Sequence, residues 1–173
     1  MFATLYLPDF YLQAALRHQP ELADTPAALI DDEAKKAVII QLNGAAQAAG
    51  VRVGMTPSQG LARCLQVVIK VRSQAQEKIL QDVLLGYAGS LSPFVEETAP
   101  GITTVQFTDP RGLQAKVANV VAHLADSEIV AQAGIAPTPD ASFLAAHLAR
   151  PVLQIDDARE FLAALPIEVL AIN

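Results

Sequence analysis

The chain begins with an apolar run that stops at a Pro-Asp step. Residues 2–7 are mostly apolar and are followed by Pro8, a pattern that predicts a short buried strand. Asp9 then precedes a second apolar-rich run at residues 10–16, which predicts a helix with Asp9 as its N-cap. A strand that passes directly into a helix often carries active-site side chains, but this strand contains no carboxylate, histidine, cysteine or lysine.

The rest of the chain alternates between β-rich runs and stretches with helical spacing. Apolar runs predict further strands at residues 27–30, 37–42, 67–71, 102–107, 128–136 and 152–155. Helical patterns predict helices at residues 45–49 and 73–90, from Pro57, from the N-cap Asp109 to residue 125, and from Asp156. The strands at 27–30 and 37–42 are expected to pair with each other.

The clearest local signals surround residue 56. Thr56, Pro57 and Gln59 form the N-cap, the first-position proline and the capping-box partner that begin a helix. Gly50 is predicted to end the short helix before them. The glycines of this region are not followed by Lys-Ser or Lys-Thr, so they do not indicate a phosphate-binding loop.

Composition narrows the class of protein. The 173 residues are 52% apolar with a formal net charge of −6, so we expect a globular chain that binds nucleic acid weakly by itself. One cysteine and three histidines on separate predicted helices do not indicate a zinc site. No apolar run is long enough to cross a membrane, and no signal peptide is recognisable, so we expect a cytoplasmic location.

Several short motifs follow one another in a fixed order. An aromatic pair, two proline steps, Gly-Val, Gly-Met and an alanine before a cysteine come first, and Ser-Pro-x-Val-Glu and Arg-Pro come later. These motifs are Phe10-Tyr11, Pro20-Glu21-Leu22, Pro26, Gly50-Val51, Gly54-Met55, Ala62 with Cys64, Ser92-Pro93 with Val95-Glu96, and Arg150-Pro151. In this order the chain resembles the palm and fingers of the Y-family (translesion) DNA polymerases, over residues 2–170.

The resemblance implies a fold and a domain plan. It implies an α/β (α+β) fold: a ferredoxin-like palm with an antiparallel sheet backed by helices, plus a small inserted fingers lobe. Residues 1–10 and 74–165 would form the palm, and residues 11–73 the fingers. Residues 166–173 would begin a thumb that is otherwise absent.

The resemblance also marks the positions at which the family carries its metal-binding carboxylates. Two Mg²⁺ ions held there activate the primer 3′ oxygen and neutralise the phosphates. Tyr6 stands at the position of the first-strand aspartate, and Gly101 and Ile102 stand at those of a later Asp-Glu pair. We therefore predict no catalytic residue, no bound metal and no cofactor.

The positions that hold the nucleoside triphosphate differ in the same way. Gly44 and Gln47 stand where the family has Tyr and Arg, and Phe143 stands where it has Lys, so no nucleotide-binding residue is predicted. Tyr11 keeps the family's sugar-sensing aromatic residue, although a core position is the simpler interpretation. Arg52 lies in the turn that meets template DNA in active relatives, where a DNA contact and plain surface charge are both consistent with it.

Taken together, these substitutions resemble the catalytically degenerate ImuB-type branch, whose first strand also ends in Leu-Pro-Asp. The resemblance implies a protein that is not an enzyme and serves as a scaffold or adaptor in damage-induced (SOS) translesion DNA synthesis and repair. Its implied partners are an active polymerase and the sliding clamp, bound through regions beyond this chain. Two alternatives stay open: a divergent active translesion DNA polymerase, and a ligand-binding or regulatory module that reuses the palm fold.

Overall fold

The computed structural model describes residues 1–22, 24–32 and 36–166. They form two compact units, which divide after residues 8 and 80: one contains the described residues of 1–8 and those from 81 onward, and the other contains the described residues of 9–80. We call these the palm unit and the fingers unit. The helix α4 (Gln74–Leu91) contains the division at residue 80. The domain bounds given by the resemblance, residues 1–10 with 74–165 and residues 11–73, stay a prediction. Apart from Pro166, the predicted start of a thumb lies outside the described residues.

The other elements follow the predicted alternation closely. The remaining helices are α1 (Phe10–Leu16), α2 (Gly44–Ala48), α3 (Pro57–Arg63), α5 (Leu113–Asp126), α6 (Pro139–Leu148) and α7 (Ala158–Ala164). The strands are β1 (Phe2–Tyr6), β2 (Ala27–Ile30), β3 (Ile39–Leu42), β4 (Val68–Val71), β5 (Val95–Ala99), β6 (Ile102–Gln106), β7 (Gln132–Ala136) and β8 (Val152–Gln154).

The palm unit is built on a five-stranded sheet with the order β5-β6-β1-β7-β8. Neighbouring strands are antiparallel except β7 and β8, which are parallel. The sheet is therefore mixed, whereas an antiparallel sheet was predicted. Helix α6 packs against β1 and β7. The approach is close at Gly134, where an added Cβ would lie only 2.2 Å from backbone atoms of Ser142 and Ala146. Glycine is therefore required there by packing.

The fingers unit contains a three-stranded sheet with the order β3-β2-β4. Strands β2 and β3 pair antiparallel, which confirms the predicted pairing, and β4 runs parallel to β2. A buried cluster on this sheet includes Ile39, Ala46, Val51 and Val67. The capping box before α3 is also confirmed, since the Thr56 side chain accepts from the Gln59 N–H and the Gln59 side chain accepts from the Thr56 N–H.

Two predicted helix caps are wrong. Asp9 adopts a left-handed conformation (φ 49°, ψ 42°), and its side chain makes no cap hydrogen bond to α1. Asp109 instead accepts from Arg111 in the same turn, and α5 begins after Gly112, whose φ is 65°. Within the part of the chain that the structure describes, no helix is long and apolar enough to cross a membrane.

Candidate functional site

The three positions that the resemblance assigned to metal ligands meet at one end of the palm sheet. Tyr6 is the last residue of the central strand β1 and lies opposite Ile102 on β6. The next backbone N–H, of Leu7, donates to the carbonyl oxygen of Gly101 at 2.9 Å. The fold thus brings Tyr6, Gly101 and Ile102 together, as a site shared by two strands requires.

Aromatic rings occupy this end of the sheet. The ring of Tyr6 stacks on the imidazole of His147, with centroids 4.1 Å apart and an angle of 24° between the planes. Phe143 lies one turn before His147 on α6, and the centroids of these two rings are 4.5 Å apart. His147 is fixed further by a 2.9 Å hydrogen bond between its Nδ1 and the Phe143 carbonyl oxygen. Phe143 was predicted to stand at a triphosphate-binding position of the family, and the contact of His147 with Tyr6 was not predicted.

The turn that carries Gly101 is held from the side of α4. Gly101 has φ 74°, a left-handed conformation that glycine adopts without strain. Its N–H donates to the side-chain oxygen of Gln81 at 2.8 Å, and Gln81 is only 7% exposed. The other side-chain atom of Gln81, Nε2, has no hydrogen-bond partner among the described residues. Sequence reasoning missed Gln81, because its partner is twenty residues further along the chain.

A row of hydroxyl groups crosses the sheet beside the aromatic cluster. Thr4 Oγ1 lies 2.8 Å from Ser142 Oγ and 3.2 Å from Thr104 Oγ1. Thr104 continues the row to Thr98 at 2.8 Å. These groups are neutral and largely satisfy one another, so they offer hydrogen bonds but no fixed charge to a ligand.

In the fingers unit, the predicted nucleotide positions lie on α2. Gly44 is its first residue, and Asn43 caps it by accepting from the Ala46 N–H at 2.9 Å. The Arg52 guanidinium donates to the carbonyl oxygens of Gln47 and Val51, each at 2.7 Å. Arg52 therefore caps the end of α2, where a cation also favours the helix dipole. A contact between Arg52 and DNA stays a prediction.

Tyr11 lies under a charged group and is half-buried. The guanidinium of Arg72 stands 3.9 Å above the centre of its ring, a cation–π contact. Arg72 also makes two 2.8 Å hydrogen bonds to the carboxylate of Glu77 and one of 3.0 Å to Asp31. The hydrogen bonds to Glu77, above all, raise the pKa of Arg72 above its ordinary value. Tyr11 thus has a fixed ring that is only partly exposed.

The carboxylates of Asp9 and Asp109 have shifted pKa values. Burial raises the pKa of Asp9 above its ordinary value, although by area the residue is exposed. The hydrogen bonds from Arg111 lower the pKa of Asp109. The Asp109 carboxylate forms an ion pair with Arg111. Asp9 belongs to the fingers unit and Asp109 to the palm unit, so we do not assign them to one site.

Comparisons with known proteins identify the class of the fold. Residues 5–147 match the family described as impB/mucB/samB. DNA polymerase IV of Legionella pneumophila (strain Corby) is 26% identical over 171 residues, which cover 93% of this chain and 48% of that protein. DNA polymerase IV of Pseudomonas syringae pv. tomato is 24% identical over 172 residues, with the same coverage. The chain spans about half the length of these curated relatives.

Solved structures show the same fold. A post-insertion binary complex of Dbh DNA polymerase matches with a TM-score of 0.85 at 14% identity, over 97% of this chain and 52% of that one. DinB from Sulfolobus solfataricus matches with a TM-score of 0.81, with the same identity and coverage. The resemblance to Y-family polymerases and the α/β fold with helix-backed sheets are therefore confirmed. Membership of the ImuB-type branch stays a prediction.

The comparisons contradict one prediction. We expected a protein that is not an enzyme, and this is wrong: the curated relatives are named DNA polymerase IV, and the solved structures with this fold are DNA polymerases. A separate prediction, which the comparisons leave untested, assigns six residues as replaced family positions: Tyr6, Gly101, Ile102, Gly44, Gln47 and Phe143.

The metal ions that the fold family implies can be tested against the side chains. Two Mg²⁺ ions require several carboxylate oxygens in near-octahedral arrangement. Among the described residues, no group of three or more His, Cys, Asp or Glu side chains is placed to hold a metal ion. The strand ends at Tyr6 and Ile102 present a phenol ring and an alkyl chain instead. The described residues therefore do not fit a two-magnesium centre.

Proposed function

Because this chain belongs to the impB/mucB/samB family, we propose that it supplies the palm and fingers of a divergent DNA polymerase that extends primers past damaged template bases. The family match over residues 5–147 carries the proposal, since that span includes the whole end of the palm sheet around Tyr6. The relatives named DNA polymerase IV support it. The described residues do not fit a two-magnesium centre, so no metal-dependent step is assigned to them.

Primer extension by the full-length protein tests this proposal. The substrate is a fluorescent primer on a template with an abasic site, supplied with all four deoxynucleoside triphosphates and either Mg²⁺ or Mn²⁺. We expect the primer to lengthen past the lesion. A folded protein that leaves the primer unchanged with both ions would contradict the proposal. A mock purification from the same host without the gene excludes a contaminating polymerase.

A second candidate is an adaptor role in damage-induced translesion synthesis. The observation that favours it is the Tyr6–His147–Phe143 cluster, which fills the sheet end with rings that contact each other. Such an adaptor would bind an active polymerase and the sliding clamp. Gel filtration of the purified full-length protein with each purified partner tests it: co-elution is expected, and separate elution with both partners contradicts it.

A further inference from the structure

An open groove of about 410 Å³ lies at the edge of the palm sheet, away from the Tyr6 end. Phe2 and Phe94 supply aromatic surface, Pro93 and Pro139 supply apolar surface, and Glu96 and Gln106 supply polar groups. Phe94 is 57% exposed, which is high for so large an apolar side chain. Phe2 and Tyr6 are the two ends of β1, so the groove lies about 13 Å along the strand from the aromatic cluster.

The groove runs beside an edge strand, whose outer side pairs with no other strand among the described residues. Strand β5 is the first in the sheet order, and its paired neighbour is β6. The Gln106 N–H donates to the Phe94 carbonyl oxygen at 2.9 Å, so backbone groups of alternate residues face β6. The backbone N–H and C=O groups of Val95, which lies between Phe94 and Glu96, therefore face away from β6. An edge of this kind can accept an added strand from another peptide.

Charge defines what such a peptide would carry. Glu96 and Glu97 are exposed on β5, and neither carboxylate has a hydrogen-bond or ion-pair partner among the described residues. Consecutive strand residues face opposite sides of the sheet, so an added strand would meet one carboxylate on each side. Opposite charges directly across a strand pair are favourable and like charges unfavourable. Lysine or arginine is therefore preferred at the facing positions.

We propose that β5 and this groove bind an extended protein segment in which an aromatic or aliphatic residue stands beside lysine or arginine. The segment adds a strand to the edge, its apolar side chain lies on Phe94 and Phe2, and its basic residues face Glu96 and Glu97. This binding goes beyond the proposed polymerase function, because it needs neither nucleotide nor the end of the sheet at Tyr6.

Fluorescence anisotropy with a labelled peptide, SVFTKKVS, and the full 173-residue chain tests the proposal. We expect saturable binding, and binding weaker by at least about tenfold for the acidic peptide SVFTEEVS. The double variant Glu96→Lys with Glu97→Lys should reverse this preference, and Phe94→Ala should weaken binding of the basic peptide. A basic peptide with alternate backbone nitrogens methylated should lose binding, because it cannot pair with the edge.

Matched controls keep the result specific to the groove. Asp126→Lys with Glu160→Lys makes the same change of net charge elsewhere on the palm unit, and Leu162→Ala removes another partly exposed apolar side chain. These variants should bind like the parent chain, with unchanged melting curves. Equal binding of both peptides, no effect of the Glu96 and Glu97 reversal, or undiminished binding of the methylated peptide would overturn the proposal. Competition by a short oligothymidine that depends on Phe94 would also overturn it.

Discussion

The palm unit and the fingers unit place different kinds of polar group against their cores. In the palm unit these polar groups are neutral hydroxyls. Thr4, Thr104 and Ser142 are almost fully buried, and Thr4 hydrogen-bonds to both of the others. In the fingers unit the polar groups are an ion pair, in which the Glu77 side chain is 11% exposed and the Arg72 side chain is 27% exposed.

This difference has energetic consequences. A neutral hydroxyl loses little on leaving water if it finds a partner, whereas a buried charge loses much more and depends on its partner. The palm should therefore be sensitive to shape and hardly sensitive to salt. The fingers unit should be sensitive to the loss of either member of its ion pair.

The largest effect is expected from Gly134→Ala. The new Cβ would lie 2.2 Å from backbone atoms of Ser142 and Ala146, and no side-chain rotation relieves a backbone clash. We expect the free energy of unfolding in urea to fall by about 3 kcal/mol or more. In the fingers unit, Gly60→Ala meets the flexible end of Ile39 at 3.0 Å, so a change within about 1 kcal/mol is expected. Equal losses in both variants would show that the palm is no more closely packed than the fingers.

Arg72→Met should come next. It removes both hydrogen bonds to Glu77 and the cation above Tyr11, and leaves a mostly buried carboxylate without its partner. Because Arg72 is partly exposed, we expect a loss of about 2–3 kcal/mol, below the full value for a buried pair. The same urea titration measures it.

The control for Arg72 is Arg111→Met. Arg111 pairs with Asp109 on the surface, where both side chains are largely exposed. No measurable change in the unfolding midpoint is expected there, because exposed ion pairs contribute little. If the Arg72 and Arg111 variants behaved alike, the ion pair with Glu77 would have to be considered a surface interaction.

A smaller effect separates two threonines of the palm sheet. Thr4→Val keeps the shape but deprives Ser142 and Thr104 of a hydrogen-bond partner, so a loss of about 1–2 kcal/mol is expected. Thr103 is also fully buried, but its Oγ1 has no hydrogen-bond partner among the described residues. Thr103→Val should therefore leave stability unchanged or raise it. A larger loss for Thr103 than for Thr4 would contradict the hydroxyl row as a stabilising feature.

The smallest effect concerns acidity in the fingers unit. Burial raises the pKa of Asp9, so its ionised form destabilises the folded state at neutral pH, and this cost disappears as the pH falls below the ordinary value of 3.8. Asp9→Asn removes the charge and tolerates the left-handed conformation. We expect a gain below about 0.5 kcal/mol at pH 7, because the residue is exposed, and none at pH 3. Melting curves at the two pH values measure it; a gain at pH 3 as large as at pH 7 would exclude the charge as its cause.

Local signals in the sequence predicted local structure where both partners of a known motif stand at its spacing. The Thr56 capping box was predicted because both partners are three residues apart. Aspartate is a favourable N-cap residue, yet the side chains of Asp9 and Asp109 do not cap a helix. In the case of Asp109, Arg111 competes for the carboxylate two residues away, a competition that the helix-start pattern does not show.

The candidate site was predictable only as far as the resemblance reached. It placed Tyr6, Gly101 and Ile102 together, and the pairing of β1 with β6 agrees with that placement. The stack of Tyr6 on His147 depends on how closely α6 approaches the sheet, which Gly134 permits. The four-residue spacing of Phe143 and His147 was a signal that they share a helix face, but no spacing shows which strand that face meets.

The environments of the tyrosine rings give the molecule built-in optical reporters. The sequence has no tryptophan and three tyrosines, so tyrosine dominates its intrinsic fluorescence. Tyr6 is stacked on an imidazole in the palm unit, whereas Tyr11 lies under a guanidinium in the fingers unit. Replacing Tyr11 by phenylalanine leaves Tyr6 and Tyr87, which both belong to the palm unit, whereas replacing Tyr6 and Tyr87 together leaves only Tyr11 in the fingers unit. The unfolding of each unit can then be followed separately, without an attached dye.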